Sequence, residues 1–239
     1  MQGGWSSSSS DNVTWGQTAD CNIASFVPQF PAGQTQLVVP TDIKPHFIGL
    51  AFGVQNYTCS ESGTFSNIGA VAELIDVSCY VNESWFPTIQ NELYAAWTDA
   101  DFNDFSIQEI IDFVHFIDPP QNLAQHYFVE NPITDSGVSP KWDFTSSGKF
   151  KGNADAFVIA KGNGTLSSPN DPKDDVTWLE VLQVKGDVAD EVFRFDTVGG
   201  QPPVNCSHGQ SLDVSIKYTS KYSKHWLIVG RLLVSDTLL

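Results

Sequence analysis

Two apolar, aromatic runs far apart in the chain, Gly49–Cys59 (GLAFGVQNYTC) and Val192–Cys206 (VFRFDTVGGQPPVNC), each end on a cysteine. Turn formers bound both runs, and their β-branched and aromatic content reads as buried strand. A bridge between the two cysteines would buckle the start of the fold to its end. The four cysteines, Cys21, Cys59, Cys79 and Cys206, are even in number and widely spaced, with no C-x-x-C pair. That pattern reads as disulfides rather than zinc or a redox dithiol. Four cysteines allow three pairings, and the residues leave the choice open, although a strand over Ile68–Val77 would carry Cys79 towards Cys21.

Disulfides imply an oxidising compartment, and a second signal agrees. N-x-S/T sequons start at Asn12, Asn56, Asn82, Asn163 and Asn205, five where average composition gives roughly one or two. The chain is therefore expected to be a secreted, extracellular glycoprotein, associated with a cell wall or free of it. It opens MQGGWSSSSS, without a charged n-region and apolar h-region, so a leader is expected to have been removed. No apolar run approaches the roughly 20 residues of a membrane span. Twelve Lys+Arg against 28 Asp+Glu give a net charge of −16, which repels phosphate backbones and argues against nucleic acid as a partner. Such self-repulsion also favours a monomer or a weak homo-oligomer.

Residues 1–20 are Ser/Gly-rich with isolated Trp5 and Trp15 and read as an arm; residues 21–239 read as one β domain. Pro28, Pro31, Pro40 and Pro45 cut out a short edge strand at Gln36–Val39. A turn at Glu61–Ser66 separates the organising strand from Ile68–Val77. Residues 87–119 form a helical insertion: Ile89, Leu93, Ala96 and Trp97, and then Ile107, Ile110, Ile111, Val114 and Ile117, repeat at helical spacing. Ser106 and Glu109 make a capping box for the second helix, Asp104 adds charge at its start, and Pro119–Pro120 stops it. Strands resume at His126–Glu130, Lys141–Phe144, Ala156–Lys161, Val176–Val184, Val192–Thr197, Leu212–Tyr222 and His225–Val234, parted by Gly, Asn, Asp and Pro. The expected fold is all-β: a single-domain antiparallel β-sandwich or flattened β-barrel, with the two helices covering one end or one sheet face.

QNYTC, IGAVAELID, QHYFVENP, PKWDF, VTWLEV and RFDTVGGQPPVNC, in that order, resemble the DUF3455 family of secreted fungal and bacterial proteins from Cys21 to Tyr222. The resemblance implies that Cys59 pairs with Cys206 and Cys21 with Cys79, because bacterial members keep only the first pair. It marks Tyr57, His126, Tyr127, Trp142, Trp178, Arg194, Thr197, Gly199 and Gly200 as recurring positions, and it implies no catalytic mechanism or ligand. Fungal members often carry the label malate dehydrogenase. The chain lacks that chemistry: no GxGxxG opens a helix after a strand, and KGNGTL lacks the third glycine.

Chemistry-bearing patterns are few. There is no G-x-S-x-G elbow, and Ser146-Ser147-Gly148 reads as an ordinary turn. His46, His115, His126, His208 and His225 are scattered and HExxH is absent, so no metal and no cofactor is expected. His115, between Phe113 and Phe116, reads as a core or rim histidine; His126 is the better functional candidate. Asp99, Asp101 and Asn103 begin like an EF-hand loop, which fails at Asp104 and Ile110 where glycine and glutamate belong. Arg194 beside Asp196 reads as an Arg–Asp or Arg–carbonyl clamp on the Gly199–Gly200 turn, with anion binding as the alternative. The leading expectation is a non-catalytic binding protein for a carbohydrate or a small apolar or aromatic ligand, with Tyr57, His126, Tyr127, Trp142 and Arg194 as binding candidates. The rivals are a hydrolase using Asp/Glu and His126, and a purely structural wall or storage protein.

Overall fold

The structure, a computed structural model, describes residues 21–41, 43–99, 106–117, 121–210 and 213–227. Eight strands form a closed antiparallel barrel in which each pairs with its neighbours in sequence and the last returns to the first. They are β1 (Ile43–Cys59), β2 (Phe65–Asp76), β3 (Asn122–Glu130), β4 (Val138–Asp143), β5 (Phe157–Leu166), β6 (Trp178–Gly186), β7 (Glu191–Gly199) and β8 (Val214–Leu227). Closure resolves the alternative between sandwich and barrel and, among the described residues, leaves no free sheet edge.

Alternation along β1 explains its unbroken apolar run. Phe47 and Ala51 face a core inside the barrel that also holds Ala72, Leu74, Trp142, Phe144, Val192, Tyr218 and Tyr222. Ile48, Leu50 and Phe52 face outward and are buried by other layers. Both faces of the strand are therefore apolar, as strands covered on two sides must be. The two expected helices are present as α1 (Ile89–Asp99) and α2 (Ile107–Ile117) and lie on the outer wall, Trp97 and Ile111 packing with Phe52. The Trp97 indole N–H donates to the Gly53 carbonyl at 3.0 Å. The capping box is made as expected: Ser106 N donates to Glu109 Oε2 at 2.7 Å and Glu109 N to Ser106 Oγ at 3.3 Å. Asp101, Asn103, Asp104, Pro119–Pro120, Trp5, Trp15 and Asn12 lie outside the described residues.

Both disulfides are present, Cys59–Cys206 and Cys21–Cys79. Two expectations about strands are corrected. Gln36–Val39 is not a strand: the segment from Cys21 to Thr41 crosses the outer wall as an irregular strap. Leu37 and Phe30 of that strap pack on Trp178, Phe193 and Phe195. The backbone donors that a ladder would use go to side chains instead, the Gln36 and Leu37 N–H groups to Gln34 Oε1, each at 2.9 Å, and the Val38 N–H to Glu180 Oε2 at 3.1 Å. Leu212–Tyr222 and His225–Val234 are likewise not separate strands, since β8 runs unbroken through Ser223 and Lys224 to Leu227. Its partner is the 17-residue β1, whose register from Ile43 to Tyr57 is matched to Leu227 through Val214. That length of pairing overrides the polar residues that look like a turn.

Two buried histidines couple this fold to pH. Burial lowers His126 to about 3, with Arg194 and Lys224 adding to the effect against a hydrogen bond to the Lys141 backbone. Burial and then the His46 charge lower His225 to about 4. Both stay neutral in the folded chain and take up a proton near 6.5 when it unfolds, so their contribution is complete above pH 6.5 and is lost as pH falls towards 4. Two protons correspond to a slope of about 2.7 kcal/mol per pH unit. Asp175, raised mainly by burial, offsets part of this at the acid end. Urea midpoints should therefore fall steadily from pH 6 to pH 4.5, and a flat profile would show that the histidines are not buried neutral.

Candidate functional site

One end of the barrel is closed by a clasp between the segment before β6 and the end of β7. Val176 N donates to the Gly199 carbonyl at 2.9 Å, and Asp175 forms an isolated bridge with Gly200. The Thr197 hydroxyl donates to Val176 O at 2.6 Å, and Arg194 Nε and Nη2 both reach Thr177 O, at 3.1 and 2.8 Å. From the barrel wall the Tyr57 hydroxyl donates to Gly200 O at 2.8 Å. Asp175 Oδ1 accepts the Gly199 N–H at 2.8 Å and Oδ2 the Ser168 hydroxyl at 3.2 Å. Burial is the main cause that raises this carboxyl above its ordinary value, and the charges of Asp171 and Asp174 add to it against those two hydrogen bonds.

Outside the clasp lie two abutting depressions. One, of about 640 Å³, is lined by Gln90, Asn91 and Tyr94 of α1, Asn170, Asp171, Asp174 and Asp175 of the β5–β6 loop, and Gly199. The other, of about 410 Å³, is lined by Phe26, Phe86 and Phe195 with Asn22, Gln29 and Asn82 around them. Pro87 and Asp196 line both. The result is one groove with a polar, acidic half and an aromatic half, and volumes in the range of small-molecule sites.

Asp196 sits on the divide because the backbone turns it there. Pairing of β7 with β8 shifts register between Phe195 and Val198, and Asp196 has φ 49, a conformation non-glycine residues seldom adopt. Regular alternation would point residues 194 and 196 to the same face. The bulge separates them, so Arg194 clamps a carbonyl inside while the Asp196 carboxylate meets Lys221 Nζ outside at 2.8 Å. Lys221 Nζ also donates to Gln90 Oε1 at 2.6 Å and to Pro87 O at 3.2 Å, which uses its three protons. Burial lowers the Lys221 pKa, and Asp196 opposes that shift. Along the same outer row of β8, Thr219 donates to Gln90 O at 2.8 Å and Lys217 Nζ to Trp97 O at 2.7 Å. Helix α1 is thus fastened along its length, with a cation at its C-terminal end where the helix dipole favours one.

Tyr94 roofs the clasp. Its ring lies so close to Gly199 that a Cβ there would come within 2.5 Å of a ring carbon, and Gly199 has φ +71. Gly199→Ala is accordingly expected to cost about 1–3 kcal/mol through backbone strain and collision, and to displace Tyr94. Thermal melting and the Tyr94 ring resonances check this; an unchanged melting temperature would mean the ring is not seated on the turn.

The candidates chosen from sequence divide between two places. Tyr57, His126, Trp142 and Arg194 lie in the barrel wall with little exposure. The His126 and Trp142 rings stack at 4.5 Å, and His126 Nδ1 faces Lys141 O at 2.9 Å. Tyr57 and Arg194 reach the clasp that floors the groove. Tyr127 is on the outer wall, donating to Asp143 Oδ2 at 2.7 Å beside Lys141. Burial would raise the Asp143 carboxyl, but hydrogen bonds from Lys141, Tyr127 and Thr145 hold it down to about 2. Sequence reasoning missed Tyr94, Asp175 and Lys221. A period-two row of Lys217, Thr219 and Lys221 looks like a solvated strand face, and nothing local marks the bulge at Asp196.

A family model described as a protein of unknown function, DUF3455, matches residues 40–225. No curated protein and no solved structure matches the chain.

Proposed function

The chain belongs to the DUF3455 family, and we propose that it is an extracellular binding protein whose groove around Asp196 takes a carbohydrate. The observation that carries this reading is the pairing of an amide- and carboxylate-lined depression under Tyr94 with a phenylalanine-lined one across a shared wall. Sugars present hydroxyls that suit Asp, Asn and Gln, and apolar C–H faces that suit aromatic rings. An open groove fits a chain of such units, or a sugar bearing an apolar substituent, better than it fits a wholly apolar guest. Tyr57 and Arg194 enter as positioning residues, since they hold the Gly199–Gly200 floor; His126 and Trp142 hold the wall behind it.

A glycan array probed with the disulfide-bonded chain tests the reading. Binding should be saturable and should weaken at least tenfold in Tyr94→Ala. An array with no signal, or binding that Tyr94→Ala leaves untouched, would overturn it.

The extracellular setting is supported by two disulfides, and the sequons differ in geometry. Asn82 and Asn205 are exposed in loops. The Asn56 side chain accepts the Ser215 hydroxyl at 2.8 Å, and the Asn163 amide donates to Glu180. Glycopeptide mapping after secretion from a eukaryotic host should find glycan at Asn82 and Asn205 well above Asn56 and Asn163. The reverse order would contradict this placement.

A further inference from the structure

Glu73, His115 and Ser146 come from three separate parts of the chain and meet on the outer wall, well away from the groove. His115 lies in the last turn of α2, and its Nε2 is 3.0 Å from Ser146 Oγ. On the other side of the ring, Nδ1 is 2.9 Å from Glu73 Oε1, a close approach in which the N–H is not aligned on the oxygen. The Glu73 side chain is fully buried, His115 is 22% exposed and Ser146 is exposed, so the row leads from an interior carboxylate to a hydroxyl in solvent.

Glu73 and the loop of Ser146 are each held from behind. Glu73 of β2 faces Gln125 of β3 across the ladder, and Gln125 Nε2 donates to Glu73 Oε1 at 3.0 Å. The loop carrying Ser146 is fixed by Asp143 Oδ1, which accepts from the Thr145 N–H at 2.9 Å and its hydroxyl at 2.7 Å. Two residues on, Gly148 has φ +59, and a Cβ there would come within 2.5 Å of the Asn122 carbonyl, so the turn is seated against β3. A carboxylate at Nδ1 favours the tautomer with its proton on that nitrogen, leaving Nε2 as the base towards Ser146. Nucleophile, base and orienting acid are the three parts of an acyl-transfer site, and they are recognised by geometry and not by chain order.

We propose that Ser146, His115 and Glu73 form a serine-hydrolase triad acting on carboxylic esters. Ser146 Oγ attacks the ester carbonyl carbon while its proton passes to His115 Nε2. The carbon–oxygen bond to the alcohol breaks, and the alcohol leaves with the proton from His115. Water then attacks the acyl-serine, giving its proton to His115; the acid departs and the proton returns to Ser146 Oγ. Ser146 and His115 are catalytic residues, and Glu73 and Gln125 are positioning residues. The absence of a G-x-S-x-G elbow hides this arrangement from sequence, because the serine stands on a strand-to-strand loop and its base on a helix.

The test uses the full disulfide-bonded chain with a fluorophosphonate probe and p-nitrophenyl acetate. One labelled peptide carrying Ser146 is expected, and Ser146→Ala should lose the label and at least 10³-fold in kcat/KM while melting like the parent. Glu73→Gln should lower kcat by about 10²-fold with KM within twofold, and should change the pH profile of the rate, which a purely structural role would not do. Absence of label at Ser146, or turnover in Ser146→Ala equal to that of the parent, would overturn the proposal.

Discussion

Replacing Cys59 and Cys206 together with alanine is expected to remove about 5 kcal/mol of stability, more than any single side-chain replacement in the barrel wall or the groove should cost. The bridge spans a sequence separation of 147. Closing a loop of that size takes about 5 kcal/mol of entropy from the unfolded chain in the loop-closure account. A loss of that size equals the whole stability of a marginal domain. The bridge also ties the end of β1 to the loop between β7 and β8, close to where Tyr57 meets Gly200. The double mutant should therefore unfold near ambient temperature, and the residual folded fraction should show the clasp opened, as exposure of the Thr197–Gly200 amides to hydrogen exchange. Loss of less than about 1 kcal/mol, measured by urea titration, would mean that the barrel closes without its buckle. Removing Cys21–Cys79 should cost less, since its sequence separation is 58 and it fastens a strap rather than the barrel.

Lys221→Met should be the next most damaging change, at about 3 kcal/mol. The ammonium is fully buried and serves Asp196, Gln90 and Pro87 at once, with the Phe86 ring 4.8 Å away. Removing it leaves a carboxylate and a buried amide oxygen without their donor, and the penalty for such half-removed pairs exceeds the net worth of the pair itself. Asp196 keeps some access to water, 24% for its side chain, which limits the loss. Lys221→Met/Asp196→Asn should recover part of it, because no charge is then left uncompensated. The two changes also act on the groove: the ledge between its halves is the Asp196–Lys221 pair, so the single mutant should lose carbohydrate affinity even below its melting temperature. A Lys221→Met chain as stable as the parent would show that α1 is held by Trp97 and Phe52 alone.

The barrel is legible in the sequence to the extent that it depends on local pattern. Short β-branched runs between Gly, Asn, Asp and Pro locate most strands to within a few residues, and Ser106 with Glu109 marks the start of α2. Closure is not legible, because it depends on pairing β1 with β8, whose partners Ile43 and Leu227 stand near opposite ends of the chain. The irregular strap imitates a strand because Leu37 and Val39 alternate as a strand would, while its backbone donors are taken by the side chains of Gln34 and Glu180. At the site, Gly199–Gly200 is readable as a turn needing positive φ, and Arg194 as a clamp on it. The direction of Asp196 is not, since one bulge reverses the face on which it emerges. The Glu73–His115–Ser146 row escapes for a similar reason: His115 sits among phenylalanines at helical spacing and resembles core, and only tertiary packing brings a buried glutamate to one nitrogen and a loop serine to the other.

An amide chemical-shift map of the isotopically labelled chain, titrated with the oligosaccharide that gives the strongest array signal, locates the bound sugar on the barrel. Saturable shifts are expected at Phe86, Gln90, Asn91, Tyr94, Asp175 and Asp196, with little change across β3 and β4. Saturable shifts confined to β3 and β4, or to the strap over β6, would contradict the assignment of binding to the groove around Asp196.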